Sequence, residues 1–361
     1  MEKSALSQNL AHQNLMQIHL RRSEKDKIEP VLSPLEELKK TVWNKSACSG
    51  CRACISICPA DALAYDLGRN HPYQVLPCVD CMACLDSCPR MPANNQNFIP
   101  SQVLGHYKVI QNARSKMKHK HFQNGGAVTG LLAAALEEEL IDCALVMARD
   151  SWSQEPQPRV VYNAKDLDKC TGSKYTNNAI LEPINDIAKG ARSIALVGTP
   201  CSVQAVGLIR KSSNEFAAKI AQKVRFVVGL FCFEAYDNSL ISEVSRLIGM
   251  PPWRFDKMNM SEGKMDIRLR DGSHRVIPLQ DLAGHAKPGC KGCADFTAKL
   301  SDISAGSIGS APGMTTIIVR TVEGLGLFNI AEEMGFLEVA DGVNVEAIKK
   351  AGQLKLAKNG I

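Results

Sequence analysis

Between Cys48 and Pro89 the chain writes one cysteine pattern twice. Cys48, Cys51, Cys54 and Cys58 precede Pro59, and Cys78, Cys81, Cys84 and Cys88 precede Pro89. Both runs read CxxCxxCxxxCP, the ligand spacing of a bacterial ferredoxin that holds two 4Fe-4S clusters. The three closely spaced cysteines wrap a tight loop around three iron corners, and the last cysteine of each run serves the other cluster. The expected sets are therefore Cys48, Cys51, Cys54 and Cys88 for one cluster, and Cys78, Cys81, Cys84 and Cys58 for the second. The proline after each run fixes φ and lacks an N–H, which turns the chain away. Zinc is the alternative, but it usually shows two separated CxxC pairs for its four ligands. Clusters carry one electron at a time, so the spacing points to electron transfer.

A chain of 361 residues with 45% apolar content can bury a core and suggests about two or three domains. No run approaches the roughly 18 apolar residues of a membrane span, and the Met-Glu-Lys start has no apolar signal core. The 14 cysteines sit mostly in cluster spacing rather than in a disulfide framework. These features imply a cytoplasmic protein. A net charge of +6 is mild and fits a solvated surface better than nucleic-acid binding. One basic run, Arg114, Lys116, Lys118, His119, Lys120 and His121, is either a surface loop or a contact for an anionic ligand.

Residues 1–45 read as a helical extension. Leu10, Leu15 and Ile18 form a thin apolar stripe, and Ser33-Pro34-Leu35-Glu36 is a capping-box start. Residues 46–98 are the α+β two-cluster ferredoxin-like module, and Met91–Pro100 reads as a linker. Residues 99–361 alternate strands and helices, the pattern of an α/β domain with a mainly parallel sheet. Expected strands are Asp142–Ala148, Arg192–Gly198, Val224–Phe231 and Thr315–Arg320. Expected helices are Ala127–Leu140, Ser202–Ile209, Asp237–Ile248, Leu327–Met334 and Val343–Leu356. Arg268–Val276, with its Asp271-Gly272 turn, reads as a hairpin.

In this larger domain Cys201 and Cys232 follow apolar strands, where an open α/β sheet collects its ligands. Cys290 and Cys293 form a CxxC. The four read either as a third cluster or as two buried residues beside a redox pair or zinc half-site. Cys143 and Cys170 lack partners at useful spacing, and Cys143 reads as core. Gln123-Asn124-Gly125-Gly126 runs into a helix whose first amides attract anions, and Thr171-Gly172-Ser173-Lys174-Tyr175 offers a hydroxyl, an ammonium and a phenol. Neither is a Rossmann or Walker motif, and each alone is more often a plain turn.

Taken together, Gln123–Leu132, Thr171–Thr176, Gly198–Val206, Leu230–Cys232, Cys290–Phe296 and Asp302–Gly309 resemble, in order, the coenzyme F420-reducing hydrogenase/dehydrogenase beta-subunit family. The resemblance covers roughly residues 105–320. It implies a flavin-binding α/β domain holding FAD and a 4Fe-4S cluster, with coenzyme F420 as substrate. By the family pattern Cys201, Cys232, Cys290 and Cys293 hold the third cluster. Gln123, Asn124, Gly125, Gly126 and Thr129 line the flavin ring, Ser173, Lys174 and Tyr175 reach its phosphates or ribose, and Thr199 and Pro200 flank the ring. The double ferredoxin is similar to the electron-input subunit of a reduced-F420 dehydrogenase. That implies electron-accepting partner subunits, a membrane-bound complex, and a peripheral place on the inner face of the membrane.

The implied chemistry joins a two-electron hydride donor to one-electron clusters through FAD, and needs no side-chain acid or base. The implied path runs from coenzyme F420 to FAD, to the domain cluster, to the ferredoxin clusters, and on to a partner. Two other readings share the fold: a ferredoxin-fed flavin/iron-sulfur reductase of another organic substrate, and an electron-transfer subunit of an F420-linked hydrogenase or formate dehydrogenase.

Overall fold

Apolar strands buried on both sides decide the architecture of the larger domain. In Cys143–Arg149, Cys143 and Leu145 enter one core while Ala144 and Val146 enter another. The same alternation runs through Ile194, Ala195 and Leu196. A strand with two buried faces needs helices on both, and it receives them.

The computed structural model describes residues 32–95, 102–176 and 179–361. The ferredoxin module contains helix α1 (Pro34–Leu38), a π-helical turn over Lys39–Trp43, helices α2 (Ala53–Ser56) and α3 (Ala83–Ser87), and the antiparallel hairpin β1 (Leu63–Asp66) and β2 (His71–Gln74). The capping box expected at Ser33 is present: Ser33 Oγ accepts from the Glu36 amide and Glu36 accepts from the Ser33 amide. Leu35, Leu38, Val42 and Trp43 pack with Leu63, Leu85 and Met91, so this part of the extension belongs to the body of the module. Leu10, Leu15 and Ile18 lie outside the described residues. The start of the expected linker is anchored, because Asn94 Nδ2 donates to the carbonyls of Leu85, Asp86 and Cys88.

The larger domain continues with β3 (Val109–Ser115), α4 (Ala127–Glu137), β4 (Cys143–Arg149), β5 (Pro156–Val161), α5 (Ile184–Gly190), β6 (Ile194–Gly198), α6 (Pro200–Ile209), α7 (Glu215–Lys223) and β7 (Val224–Leu230). Then come α8 (Ser239–Ile248), β8 (Phe255–Ser261), β9 (Lys264–Leu269), β10 (His274–Pro278), β11 (Ile303–Gly306), β12 (Thr315–Val319), α9 (Val322–Glu333), β13 (Leu337–Ala340) and α10 (Val345–Asn359). Among the described residues the main sheet has eight strands in the order β13-β3-β12-β11-β7-β6-β4-β5.

The sheet is mixed rather than mainly parallel. β11, β7, β6 and β4 run parallel, while β12, β3, β13 and β5 join antiparallel on either side. Of the parallel strands, β4, β6 and β7 were legible as apolar runs and the short β11 was not; of the antiparallel ones, β12 was legible, while β3, β13 and β5 carry polar residues or prolines. The hairpin expected at Arg268–Val276 is β9–β10, and β8 extends it to a three-stranded sheet.

Helices α5–α7 cover one face of the main sheet, and α4 and α9 cover the other. The ferredoxin module docks on the α5–α7 face, where Ala53, Ile57 and Ala83 join the same apolar core. Helix α6 is buried along most of its length and touches both α2 and α3.

Candidate redox centres and an adjoining basic cavity

Each ferredoxin loop bends through two positive-φ residues at matching positions. Gly50 and Arg52 have φ of 75° and 61°; Asp80 and Met82 have 51° and 61°. Non-glycine residues seldom adopt this region, so the shared conformation is one the loops are built to hold. Arg52 and Met82 then cap α2 and α3, which carry Cys54 and Cys84 inward.

The cysteines group as expected from their spacing. Burial pushes the Cys54 thiol well up, and Cys48, Cys51 and Cys88 act on it at close range in the same direction. Burial likewise pushes Cys84 up to about 12, with Cys78, Cys81 and Cys58 as its neighbours. Cys58, Cys78, Cys81 and Cys84 line one apolar hollow together with Pro34, Leu35 and Ala62. Among the described residues no three His, Cys, Asp or Glu side chains close on a single metal ion. Thiols this buried stay protonated at neutral pH unless a metal takes the sulfur. Backbone amides point at two of the sulfurs: Ala62 N donates to Cys58 Sγ at 3.3 Å and Asp80 N to Cys78 Sγ at 3.4 Å.

Cys201, Cys232, Cys290 and Cys293 also come together. Burial, then Cys290, Cys201 and Cys293, raise Cys232, while Lys355 opposes them. Cys201 sits in the first turn of α6, where Pro200 pre-sets the helical φ. Cys232 follows β7, and Cys290 ends a 3-10 turn. Four thiols in a dry pocket are a donor set that fits an iron–sulfur cluster. The three sets form a row: Cys51 is a neighbour of Cys201 on one side, and Cys54 of Cys84 on the other. Cys143 is buried core, as expected. Cys170 is half-buried beside Lys174.

Chain segments at the carboxyl ends of β3, β4, β6 and β7 meet along one edge of the sheet. They are Lys116–Gly126, Arg149–Ser151, Thr199–Cys201 and Phe231–Cys232. Thr199 Oγ1 lies 3.3 Å from Cys201 Sγ. The glycine turn Gln123–Gly126 leads into α4, with Asn124 and Gly126 at φ of 52° and 66°. A Cβ on Gly125 would meet Ala113 O at 2.7 Å, so glycine here lets the turn press on β3. Gln123 Oε1 and Thr315 Oγ1 beside this turn are buried without partners, a surround that accepts a polar-edged ring.

Lys174 does not reach outward. Its ammonium donates to the carbonyls of Cys170 and Thr171, and burial pulls its pKa down to about 8. Tyr175 OH accepts from Met260 N. The cations that face open space instead line a cavity of about 760 Å³. Lys120, Arg149, Arg159, Lys169 and Arg270 surround it, with Asp150, Asp168 and Asp256 among them. The basic run divides: His119, Lys120 and His121 line the cavity, whereas Arg114 pairs with Glu338 across β3 and β13.

Strand β8 was not legible in the sequence, yet it organises this wall. Asp256 pairs with His121, Lys120 and Arg268; against the opposing effect of burial, the His121 and Arg268 contacts hold its pKa at about 2. Lys257 Nζ donates to Phe122 O, and Gln123 binds Asn259. A bulge between Phe255 and Lys257 breaks the period of two that reveals a strand.

Comparison with known proteins gives matches to three family descriptions. Two describe the beta subunit of Coenzyme F420 hydrogenase/dehydrogenase: residues 110–185 match its N-terminal part, and residues 191–344 match its C-terminal part. Residues 47–92 match a 4Fe-4S dicluster domain. An uncharacterised protein of Methanocaldococcus jannaschii is 33% identical over 90% of this chain and 98% of its own. The F(420)H(2) dehydrogenase of Methanosarcina mazei has a subunit that is 29% identical over 82% of this chain and 86% of its own. Coenzyme F420 hydrogenase subunit beta of Methanothermobacter thermautotrophicus is 33% identical over 65% and 85%. A chain of the F420-reducing nickel–iron hydrogenase complex from Methanosarcina barkeri superposes with a TM-score of 0.67 at 29% identity, covering 73% of this chain and 93% of that one.

Proposed function

Because the chain belongs to the coenzyme F420 hydrogenase/dehydrogenase beta-subunit family, we propose that it takes a hydride from reduced coenzyme F420 and delivers single electrons to a partner. The observation that carries this reading is the row of three cysteine sets that begins at the sheet edge beside the basic cavity. FAD, when bound, supplies the conversion between two-electron and one-electron transfer. Gln123, the Asn124–Gly126 turn, Thr129, Thr199 and Pro200 would hold its ring, with Ser173 and Tyr175 as the phosphate or ribose contacts; Lys174, expected among them from the sequence, instead turns its ammonium onto the carbonyls of Cys170 and Thr171.

The cavity suits the phosphate and glutamate tail of coenzyme F420. Its volume is in the range of small-ligand pockets, and its cations outnumber its carboxylates. Cys201, Cys232, Cys290 and Cys293 would hold the first cluster, Cys48, Cys51, Cys54 and Cys88 the second, and Cys58, Cys78, Cys81 and Cys84 the third. The third lies beneath Tyr73–Met82, a stretch exposed except at Cys78 and Cys81 and rich in apolar side chains. Contiguous exposed apolar residues mark an interface, and an acceptor subunit docked there would complete the path. Among the described residues no helix is long and apolar enough to cross a membrane, so placement at a membrane would come through such a partner. A ferredoxin-fed reduction of another organic substrate is the reading left if coenzyme F420 is not turned over.

The double variant Lys120→Gln, Arg159→Gln tests the tail site. Removing binding made equally in ground and transition states raises KM and leaves kcat unchanged; the expected rise is roughly tenfold or more. An unchanged KM would remove the cavity from the proposal.

A further inference from the structure

Four cations are buried around the cysteine sets; Arg52, beside Cys51, pairs with Glu182, and of the other three two cross between the modules. Arg90 comes from the ferredoxin module and is 8% exposed; Lys287 comes from the larger domain and is 4% exposed. Arg90 Nε donates to Gly289 O at 3.2 Å in the Cys290–Cys293 loop. Its Nη1 is buried with no hydrogen-bond partner, and its charge faces Cys293, Cys201 and Cys290. Lys287 runs the other way, into the loop of Cys48 and Cys51. A Cβ on Gly50 would lie 2.7 Å from its Nζ, and its charge faces Cys201 and Cys48. The third cation, Lys355, stays within its own domain and donates to the carbonyls of Cys232 and Asp295, each at 2.7 Å.

Neither Arg90 nor Lys287 forms an ion pair with a carboxylate among the described residues. A buried cation is strongly unfavourable unless an opposite charge meets it. The groups that face these two are cysteine sulfurs of two sets, and a cluster ligated by four thiolates carries the negative charge they lack. Two anionic clusters side by side also repel, so an electron on one makes the next harder to add. A cation between them weakens that repulsion.

We propose that Arg90 and Lys287 are potential-setting residues exchanged between the modules. Each raises the reduction potential of the clusters at Cys201/Cys232/Cys290/Cys293 and Cys48/Cys51/Cys54/Cys88, so that an electron passes across the module boundary without a large uphill step. The inference rests on the functional reading above, because it needs a cluster in the larger domain.

The test uses the full chain, reconstituted anaerobically with iron and sulfide, and a potentiometric titration followed by electron paramagnetic resonance. Arg90→Gln and Lys287→Gln are expected to lower the midpoint of one or both inner clusters. Arg69→Gln, at an exposed arginine, leaves all midpoints in place. Unmoved midpoints in fully assembled glutamine variants overturn the proposal while leaving the functional reading intact. Should the glutamine variants lose iron, Arg90→Lys and Lys287→Arg decide. Midpoints held at the unaltered value support a role of charge, and midpoints that fall contradict it. Spectra that count only two clusters in the unaltered chain overturn the functional reading, and this inference with it.

Discussion

At the scale of single residues, Gly289 shows how closely the two modules are fitted. A Cβ there would lie 2.1 Å from Cys48 O, a distance no folded chain tolerates without movement. Gly289→Ala should therefore destabilise the protein by about 1–3 kcal/mol and slow electron passage into the ferredoxin module. Normal stability in chemical denaturation would show that the contact is loose. Lys174 gives a pH signature. Its folded pKa, about 8, lies below the value near 10.5 of a free lysine because burial disfavours the charge. Between those values the unfolded chain binds more protons, so this residue makes stability rise with pH over that window. Lys174→Met should remove that rise from melts recorded between pH 8 and 10; an identical slope in both proteins would mean that Lys174 is solvated. The grouping of the eight cysteines between Cys48 and Cys88 was legible because their spacing is local; that of Cys201, Cys232, Cys290 and Cys293 was not, because they lie far apart in sequence and only the family resemblance brought them together. The buried cations and the role of Gly289 were not, because they depend on contacts between distant segments.

Secondary-structure elements were legible in proportion to how purely apolar they are. β4, β6 and β7 fall within two residues of their expected bounds, because strands of a parallel core are buried on both faces. β5 carries Pro156 and Pro158, which suit an edge strand and hide it as a loop. β3 carries Asn112 and Arg114, so part of the basic run read as a loop is the end of a strand. α9 begins at Val322, earlier than expected, because Thr321 caps it through the Gly324 amide. α1 was recognised from its capping box, but its attachment was not. Leu38 is fully buried in the ferredoxin core, so Leu38→Ala should cost about 2–5 kcal/mol. Iron content after reconstitution should fall with it. Full iron content and unchanged stability would show that α1 is an appendage.

At the scale of the whole molecule, the fold joins two machines through one helix. α6 begins at the edge of the mixed sheet, carries Cys201 in its first turn, and lies against both ferredoxin helices. The row of cysteine sets, from Cys201 to Cys51 and from Cys54 to Cys84, follows from that placement. The family resemblance was legible from six short segments in order, but the basic cavity was not, because its wall is assembled from β4, β5, β8 and the loop after β3. The most direct measurement of the central claim is anaerobic turnover. The chain, reconstituted with iron, sulfide and FAD, is given reduced coenzyme F420 and an artificial one-electron acceptor. The account predicts reoxidation of the coenzyme that requires FAD and disappears with Cys201→Ala. No reoxidation, with FAD and all clusters demonstrably bound, would contradict it.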